Sequence, residues 1–136
     1  MLEEEKEAVV RILIVDNSEL VRGKLMSVFL NDPRVEELYL AQDAAEANNL
    51  IKKIIPDIAV IDTCLPQDQG WDILKNIKKL YPQIHTIMLT SYADKYFNQK
   101  SKELGADYLF EKFEGVERAL EILENFQLNK KIMEII

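Results

Sequence analysis

The chain has 136 residues, of which 48% are hydrophobic and 30% charged. This length suits one globular domain with a sizeable core, and the composition excludes a disordered chain. The formal net charge of −7 argues against nucleic acid and anionic membranes as partners, because both require a basic surface. The only cysteine, Cys64, excludes an internal disulfide and a multi-cysteine metal site. With no long apolar run and no signal peptide, the expected compartment is the cytoplasm.

Short apolar runs alternate along the chain with stretches that carry apolar residues at helical spacing. The runs predict five strands, at residues 11–15, 37–40, 58–62, 84–89 and 108–110. The stretches after them predict five helices, at residues 18–30, 43–54, 70–80, 94–104 and a last one marked by Val116, Ala119, Leu120 and Leu123. Five strand–helix units with short connections predict an α/β fold, in which helices cover both sides of a parallel sheet.

Local signals mark the helix ends. Ser18 and Asp43 are good N-caps, Pro56 ends the second helix, and Gly105 ends the fourth. No linker is long enough to divide the chain into two domains. We therefore expect a charged N-terminal arm (1–10), one domain (11–128) and an apolar C-terminal tail (129–136) that extends the last helix.

Polar residues follow four of the five predicted strands. Asp16 and Asn17 end the first, Asp62 the third and Thr90 the fourth, and Lys112 follows the fifth. The carboxyl ends of parallel strands meet at one edge of a sheet, so we expect these side chains to converge. A carboxylate nucleophile, a second acid for Mg²⁺, and a hydroxyl and an ammonium for phosphoryl oxygens suit phosphoryl transfer onto a carboxylate.

The order and spacing of five motifs resemble the receiver domains of bacterial two-component response regulators, from about residue 11 to residue 126. The motifs are Val15-Asp16-Asn17-Ser18, the loop from Asp62 through Leu65-Pro66 to Gly70, Leu89-Thr90-Ser91, Gly105-Ala106-Asp107-Tyr108, and Lys112. The resemblance implies a flavodoxin-like (βα)5 fold, a doubly wound parallel five-stranded sheet with strand order 2-1-3-4-5.

The resemblance also implies a function in signalling rather than as an enzyme. Asp62 would accept a phosphoryl group from the phosphohistidine of a histidine kinase or a phosphotransfer protein. Thr90 and Lys112 would bind the phosphoryl oxygens. Mg²⁺ would lie among four ligands: Asp16, Asn17, Asp62 and the backbone carbonyl of Cys64.

We expect no output domain after the predicted domain. The resemblance therefore suggests a stand-alone regulator that signals by protein–protein contact. Its downstream target would bind the face formed by helix four, strand five and helix five, with the apolar tail adding to that surface. The tail also allows a homodimer.

Three positions depart from the pattern of the family. Asn17 replaces a second acid that normally ligates the metal, Phe113 replaces the proline after the lysine, and Leu109 occupies the usual aromatic position. Asn17 weakens the expected metal site and favours one alternative, a phosphorylation-independent pseudo-receiver. A second alternative is a dehalogenase-type Mg²⁺-dependent phosphatase. That class needs an acid two residues after the nucleophile, where this chain has Cys64.

Overall fold

The computed structural model describes residues 10–91 and 94–135. The predicted N-terminal arm, apart from Val10, lies outside the described residues. So do the side chains of the predicted C-terminal tail. In the described part of the chain, no helix is both long enough and apolar enough to cross a membrane.

Five parallel strands form a single sheet. They are β1 (Val10–Val15), β2 (Val35–Ala41), β3 (Ile58–Asp62), β4 (His85–Thr90) and β5 (Tyr108–Glu111). Their order is β2-β1-β3-β4-β5, which confirms the predicted topology. The edge strand β2 is longer than the predicted 37–40, because Val35 and Ala41 also pair with β1, opposite Val10 and Val15.

Five helices connect and cover the strands: α1 (Glu19–Leu30), α2 (Ala44–Ile54), α3 (Gln69–Leu80), α4 (Lys95–Glu103) and α5 (Lys112–Ile135). The hydroxyl of Ser18 and the carboxylate of Asp43 accept hydrogen bonds from backbone N–H groups of the first turns of α1 and α2. These N-caps were predicted. By contrast, α5 begins at Lys112 itself, earlier than the apolar residues that marked the predicted helix.

The alternating residues of the central strands face two separate apolar layers. Leu13 and Ile61 belong to the layer covered by α2, α3 and α4, whereas Ile14 and Val60 belong to the layer under α1 and α5. The buried stripe of α5 differs in part from the prediction. Ala119, Ile122 and Leu123 are buried and Leu120 is only partly buried, while the side chain of Val116 lies outside the described residues.

The start of α3 presses against the end of β3. A Cβ atom placed on Gly70 would lie 2.2 Å from the backbone oxygen of Asp62, closer than any side chain allows. The backbone N–H of Thr63 donates to the carbonyl of Leu89 at 2.8 Å, which ties the same strand end to β4. The position of Asp62 is therefore set by backbone contacts on two sides.

We expect Gly70→Ala to lower the free energy of unfolding by about 1–3 kcal/mol or more, because the added methyl group meets backbone. The matched control is Gly23→Ala. Gly23 lies within α1, and its added Cβ would meet no atom within 4 Å. That control should gain about 0.5–1 kcal/mol from helix propensity. Urea unfolding measures both values, and equal effects would contradict the close approach at Gly70.

Candidate active site

Asp16 lies at the carboxyl end of β1 and is only 1% exposed. Three of its polar atoms have hydrogen-bond partners. Its N–H donates to the carbonyl of Ala41 at 3.1 Å, its Oδ1 accepts from the N–H of Ser18 at 2.7 Å, and its backbone oxygen accepts from Arg22 Nη1 at 2.7 Å. The remaining atom, Oδ2, has no hydrogen-bond partner.

Asp62 lies at the carboxyl end of β3, next to β1 in the sheet, and is also 1% exposed. Its Oδ1 accepts a hydrogen bond from the backbone N–H of Cys64 at 2.8 Å. Its Oδ2 has no hydrogen-bond partner. Asp62 thus repeats the arrangement of Asp16, in which one carboxylate oxygen is held by the following loop and the other is unsatisfied.

Lys112 connects the two carboxylates. Its Nζ lies 3.2 Å from Asp62 Oδ1 and 3.5 Å from Asp16 Oδ2. Only 13% of the Lys112 side chain is exposed, so solvent screens these ion pairs weakly. One ammonium faces two carboxylates, and the cluster keeps an excess of negative charge.

The pKa values of the cluster reflect this balance. Burial raises the pKa of the Asp16 carboxyl, and repulsion by Asp62 adds to the increase, while the Ser18 N–H and Lys112 oppose it; the net shift is upward. Burial lowers the pKa of the Lys112 ammonium, but attraction to Asp62 and Asp16 outweighs burial, and its pKa also lies above the ordinary value. Lys112 is therefore fully protonated at neutral pH.

The unsatisfied oxygens fit a divalent cation. The buried Oδ2 atoms of Asp16 and Asp62 make no hydrogen bond, and that of Asp16 has only the Lys112 ammonium at 3.5 Å. Buried carboxylate oxygens without hydrogen bonds are costly, and a bound cation would compensate both. Mg²⁺ commonly takes one or two protein carboxylates and keeps several waters. The described residues contain no cluster of three His, Cys, Asp or Glu side chains, so the carboxylate ligands reduce to Asp16 and Asp62. Asn17 and Cys64, the other two predicted ligands, are exposed in the adjoining loops.

Thr90 ends β4, next to β3, and its side chain is fully buried. It lines a cavity of about 270 Å³ together with Ser18, Glu111 and Lys112. The structure thus brings Asp16, Asp62 and Lys112 into direct contact and places Thr90 beside Lys112 in the cavity wall. The two remaining predicted ligands, Asn17 and Cys64, lie in the loops after Asp16 and Asp62, and both are exposed.

Sequence reasoning missed the donors that hold the carboxylates. The N–H groups of Ser18 and Cys64 act through the backbone, which no residue type reveals. Arg22 had a weak signal, an arginine early in the helix that follows Asp16. His85, the only histidine, lies at the amino end of β4, away from the carboxylates, with its ring edge-on to Phe126 at 4.8 Å.

The fold and the acidic cluster define a class of protein. It is an α/β domain in which a carboxylate at the end of the third strand, Asp62, pairs with a lysine after the fifth strand, Lys112. The family description "response regulator receiver domain" matches residues 12–124. The chain belongs to the response regulator receiver domain family. Receiver domains are signalling modules that generally bind Mg²⁺ or Mn²⁺ at an acidic pocket and interact with histidine kinases and effector domains.

The similarity to one curated protein covers most of this chain but little of the relative. The chain is 32% identical over 102 residues to a protein-glutamate methylesterase/protein-glutamine glutaminase of Hydrogenovibrio crunogenus. The matched residues make up 75% of this chain and 24% of that protein. The chain spans about a quarter of the length of the curated relatives it matches. The likeness therefore concerns the receiver part.

Two solved structures confirm the fold. The CheY-like response regulator receiver domain protein from Methanospirillum hungatei JF-1 has a TM-score of 0.75 at 26% identity, covering 89% of this chain and 98% of that one. The Mn²⁺-bound form of response regulator Rcp1 has a TM-score of 0.68 at 18% identity, covering 87% and 91%. The second likeness is one of fold alone.

We expect Asp16→Asn to stabilise the metal-free protein at pH 7 by about 1 kcal/mol, the usual scale of a single substitution. The folded pKa of Asp16 lies above the unfolded one. The folded state therefore binds the carboxyl proton of Asp16 more tightly than the unfolded state does. The free energy of unfolding falls as the pH rises from the unfolded pKa of this carboxyl through its folded pKa. The amide oxygen of an asparagine can still accept from the Ser18 N–H. Because asparagine does not ionise, it avoids this loss of stability at neutral pH. Urea unfolding in EDTA from pH 3.5 to pH 7.5 measures it.

The control is Asp107→Asn, for which the sign is opposite. Burial raises the pKa of Asp107, but hydrogen bonds from Thr86 and Lys78 outweigh burial, so the net shift is downward. Asp107 therefore contributes stability at neutral pH that is lost as the pH falls through its folded pKa. Asp107→Asn should destabilise the protein at pH 7. The same sign for both variants would contradict this assignment of charges.

Proposed function

We propose that Asp62 accepts a phosphoryl group from the phosphohistidine of a histidine kinase or a phosphotransfer protein, and that the domain then signals through protein contacts. One observation carries the proposal. Asp62 is a buried carboxylate with one oxygen held by the Cys64 N–H and the other without a donor, and Lys112 lies 3.2 Å away. The proposal applies equally to a receiver acting alone and to one within a longer chain.

The transfer requires little covalent chemistry from the protein. A carboxylate oxygen of Asp62 attacks phosphorus, the P–N bond of phosphohistidine breaks, and the imidazole leaves with the electron pair and takes up a proton. The product is an acyl phosphate. Catalysis is mainly positioning and charge stabilisation. A bound Mg²⁺ would neutralise negative charge on the transferred group, and Asp16, Asp62, Asn17 and the carbonyl of Cys64 would hold it.

Lys112 supplies positive charge at the same place. A phosphoryl group adds about −1.5 to −2 charges at neutral pH. The Lys112 ammonium lies between the two carboxylates, 3.2 Å from Asp62 Oδ1, so a phosphoryl oxygen on Asp62 would lie near it. The hydroxyl of Thr90, in the wall of the adjacent cavity, would bind another oxygen.

The output surface that we propose is the face of α4, β5 and α5. Lys112 is the first residue of α5 and directly follows β5, so any movement of its side chain acts on this face. The face presents aromatic groups. Tyr108 is 39% exposed and its ring stacks on Phe110 at 5.8 Å, while Arg118 lies over the Phe110 ring at 5.7 Å. Aromatic and arginine side chains are typical anchors of protein interfaces.

The pseudo-receiver remains a second candidate because of Asn17. An amide oxygen brings no negative charge to the metal, and Asn17 is exposed in the loop. In that case the same surface would bind a partner without phosphorylation. The dehalogenase-type phosphatase gains no support, since the position two residues after Asp62 is Cys64 and the family is that of receivers.

We expect Asp62→Asn to abolish phosphorylation. The intact protein, incubated with phosphoramidate and MgCl₂, should gain one phosphate by mass spectrometry, and Asp62→Asn should gain none. The matched control is Asp72→Asn, an exposed acid on α3, which should gain phosphate as the unsubstituted protein does. Persistent labelling of Asp62→Asn would refute the acceptor assignment. Lack of labelling in the unsubstituted protein would favour the pseudo-receiver.

We expect Asn17→Asp to tighten Mg²⁺ binding. Two unit charges about 4 Å apart near a protein surface interact by a few kcal/mol, and competition with water leaves a net gain on the order of 1–3 kcal/mol. That gain corresponds to a roughly ten- to hundredfold lower Kd. Trp71 is a suitable fluorescent reporter because it adjoins Gly70, which packs on the Asp62 carbonyl. Equal affinities would mean that Asn17 is not a ligand.

A further inference from the structure

We infer that Arg22 is a positioning residue for the metal site, an inference that rests on the proposed function. Its guanidinium Nη1 donates to the backbone oxygen of Asp16 at 2.7 Å, a short charge-assisted hydrogen bond. This carbonyl belongs to the peptide that joins Asp16 to Asn17. Arg22 therefore holds the peptide plane between the two side chains that would ligate Mg²⁺ from β1.

The contact completes the restraint of Asp16. Ala41 holds its N–H, Ser18 holds Oδ1, and Arg22 holds the carbonyl. Oδ2 makes no hydrogen bond and lies 3.5 Å from Lys112 Nζ, so it is the oxygen that would face a metal. The first turn of α1 makes the restraint rigid. The Ser18 hydroxyl caps Val21, and the Arg22 N–H donates to the Ser18 carbonyl at 3.0 Å. Without Arg22, the peptide after Asp16 could rotate.

Arg22 has two ways to affect metal binding: the hydrogen bond to the Asp16 carbonyl, and the positive charge of its guanidinium. The two mechanisms predict opposite signs. A nearby cation repels Mg²⁺, so a purely electrostatic Arg22 would weaken metal binding, and its removal would tighten it. A positioning Arg22 strengthens binding, and its removal weakens it.

The fold should tolerate substitution of Arg22. The side chain is only partly buried, and it lines a surface cleft between α1 and α2 together with Leu40, Gln42 and Glu46. Truncation therefore opens no cavity in the core. The capping of α1 by Ser18 does not depend on the guanidinium.

The test is a titration of the full chain with MgCl₂, followed by Trp71 fluorescence and by calorimetry. We expect Arg22→Ala to raise the Kd for Mg²⁺ about tenfold or more, the usual effect of removing a group that orients a metal ligand. Arg22→Lys keeps the positive charge and a single donor group, so its Kd for Mg²⁺ should lie between those of Arg22→Ala and the unsubstituted protein. Arg34→Ala is the matched control, because Arg34 pairs with Asp32 next to the amino end of β2, away from the metal site and from the proposed output surface. This variant should bind Mg²⁺ as the unsubstituted protein does.

Two further measurements separate positioning from a general structural role. Urea unfolding in EDTA should show that Arg22→Ala remains folded at the titration temperature. Phosphorylation by phosphoramidate should be slow in this variant at low MgCl₂ and should recover at saturating MgCl₂. Tighter or unchanged Mg²⁺ binding by Arg22→Ala would overturn the inference alone. No Mg²⁺ binding by the unsubstituted protein would overturn both the inference and the metal part of the proposed function.

Discussion

The site depends on one ammonium placed between two buried carboxylates. Removing three charged groups from water costs several kcal/mol for each ion, and their mutual attraction recovers this cost only with good geometry and extra hydrogen bonds. Lys112 contacts both Asp16 and Asp62, and backbone N–H groups of the following loops satisfy one oxygen of each acid. The two Oδ2 atoms make no hydrogen bond, and one ammonium offsets only one of the two negative charges. This excess of negative charge makes the edge of the sheet a place for a cation.

The surrounding fold holds that arrangement rigidly. The strands that carry the acids are neighbours in the sheet and are buried on both faces, so neither can shift without disturbing the core. Gly70 allows α3 to touch the carbonyl of Asp62, and Arg22 holds the carbonyl of Asp16. The opposite side of the site is different. Thr90 ends β4, and Lys112 is the first residue of α5, directly after the partly exposed β5. A change of charge at these two residues therefore acts next to elements at the surface.

Most of the architecture was predictable. Apolar runs located all five strands, and the capping residues Ser18 and Asp43 located two helix starts, because these signals are local in sequence. The errors concern the ends of elements and the rotation of one helix. The edge strand β2 extends past the predicted residues because Val35 and Ala41 also pair with β1. The helix α5 starts at Lys112, before its apolar stripe begins. Ile122 is buried and Leu120 is only partly buried, because the exact rotation of a helix depends on its neighbours. The strand order came from the resemblance to a family and was confirmed.

By itself, the sequence determined the alternation of strands and helices, the residue types at the strand ends and the family, since each depends on residue identity and short spacing. The tertiary structure alone decided which atoms meet. Along the chain, Lys112 is 96 residues from Asp16 and 50 residues from Asp62. Only the order of the strands in the sheet brings the three side chains together. The same holds for the two unsatisfied oxygens and for the contact of Arg22 with a backbone carbonyl. Such contacts depend on strand register and peptide orientation, which arise from packing of the whole domain rather than from residue type.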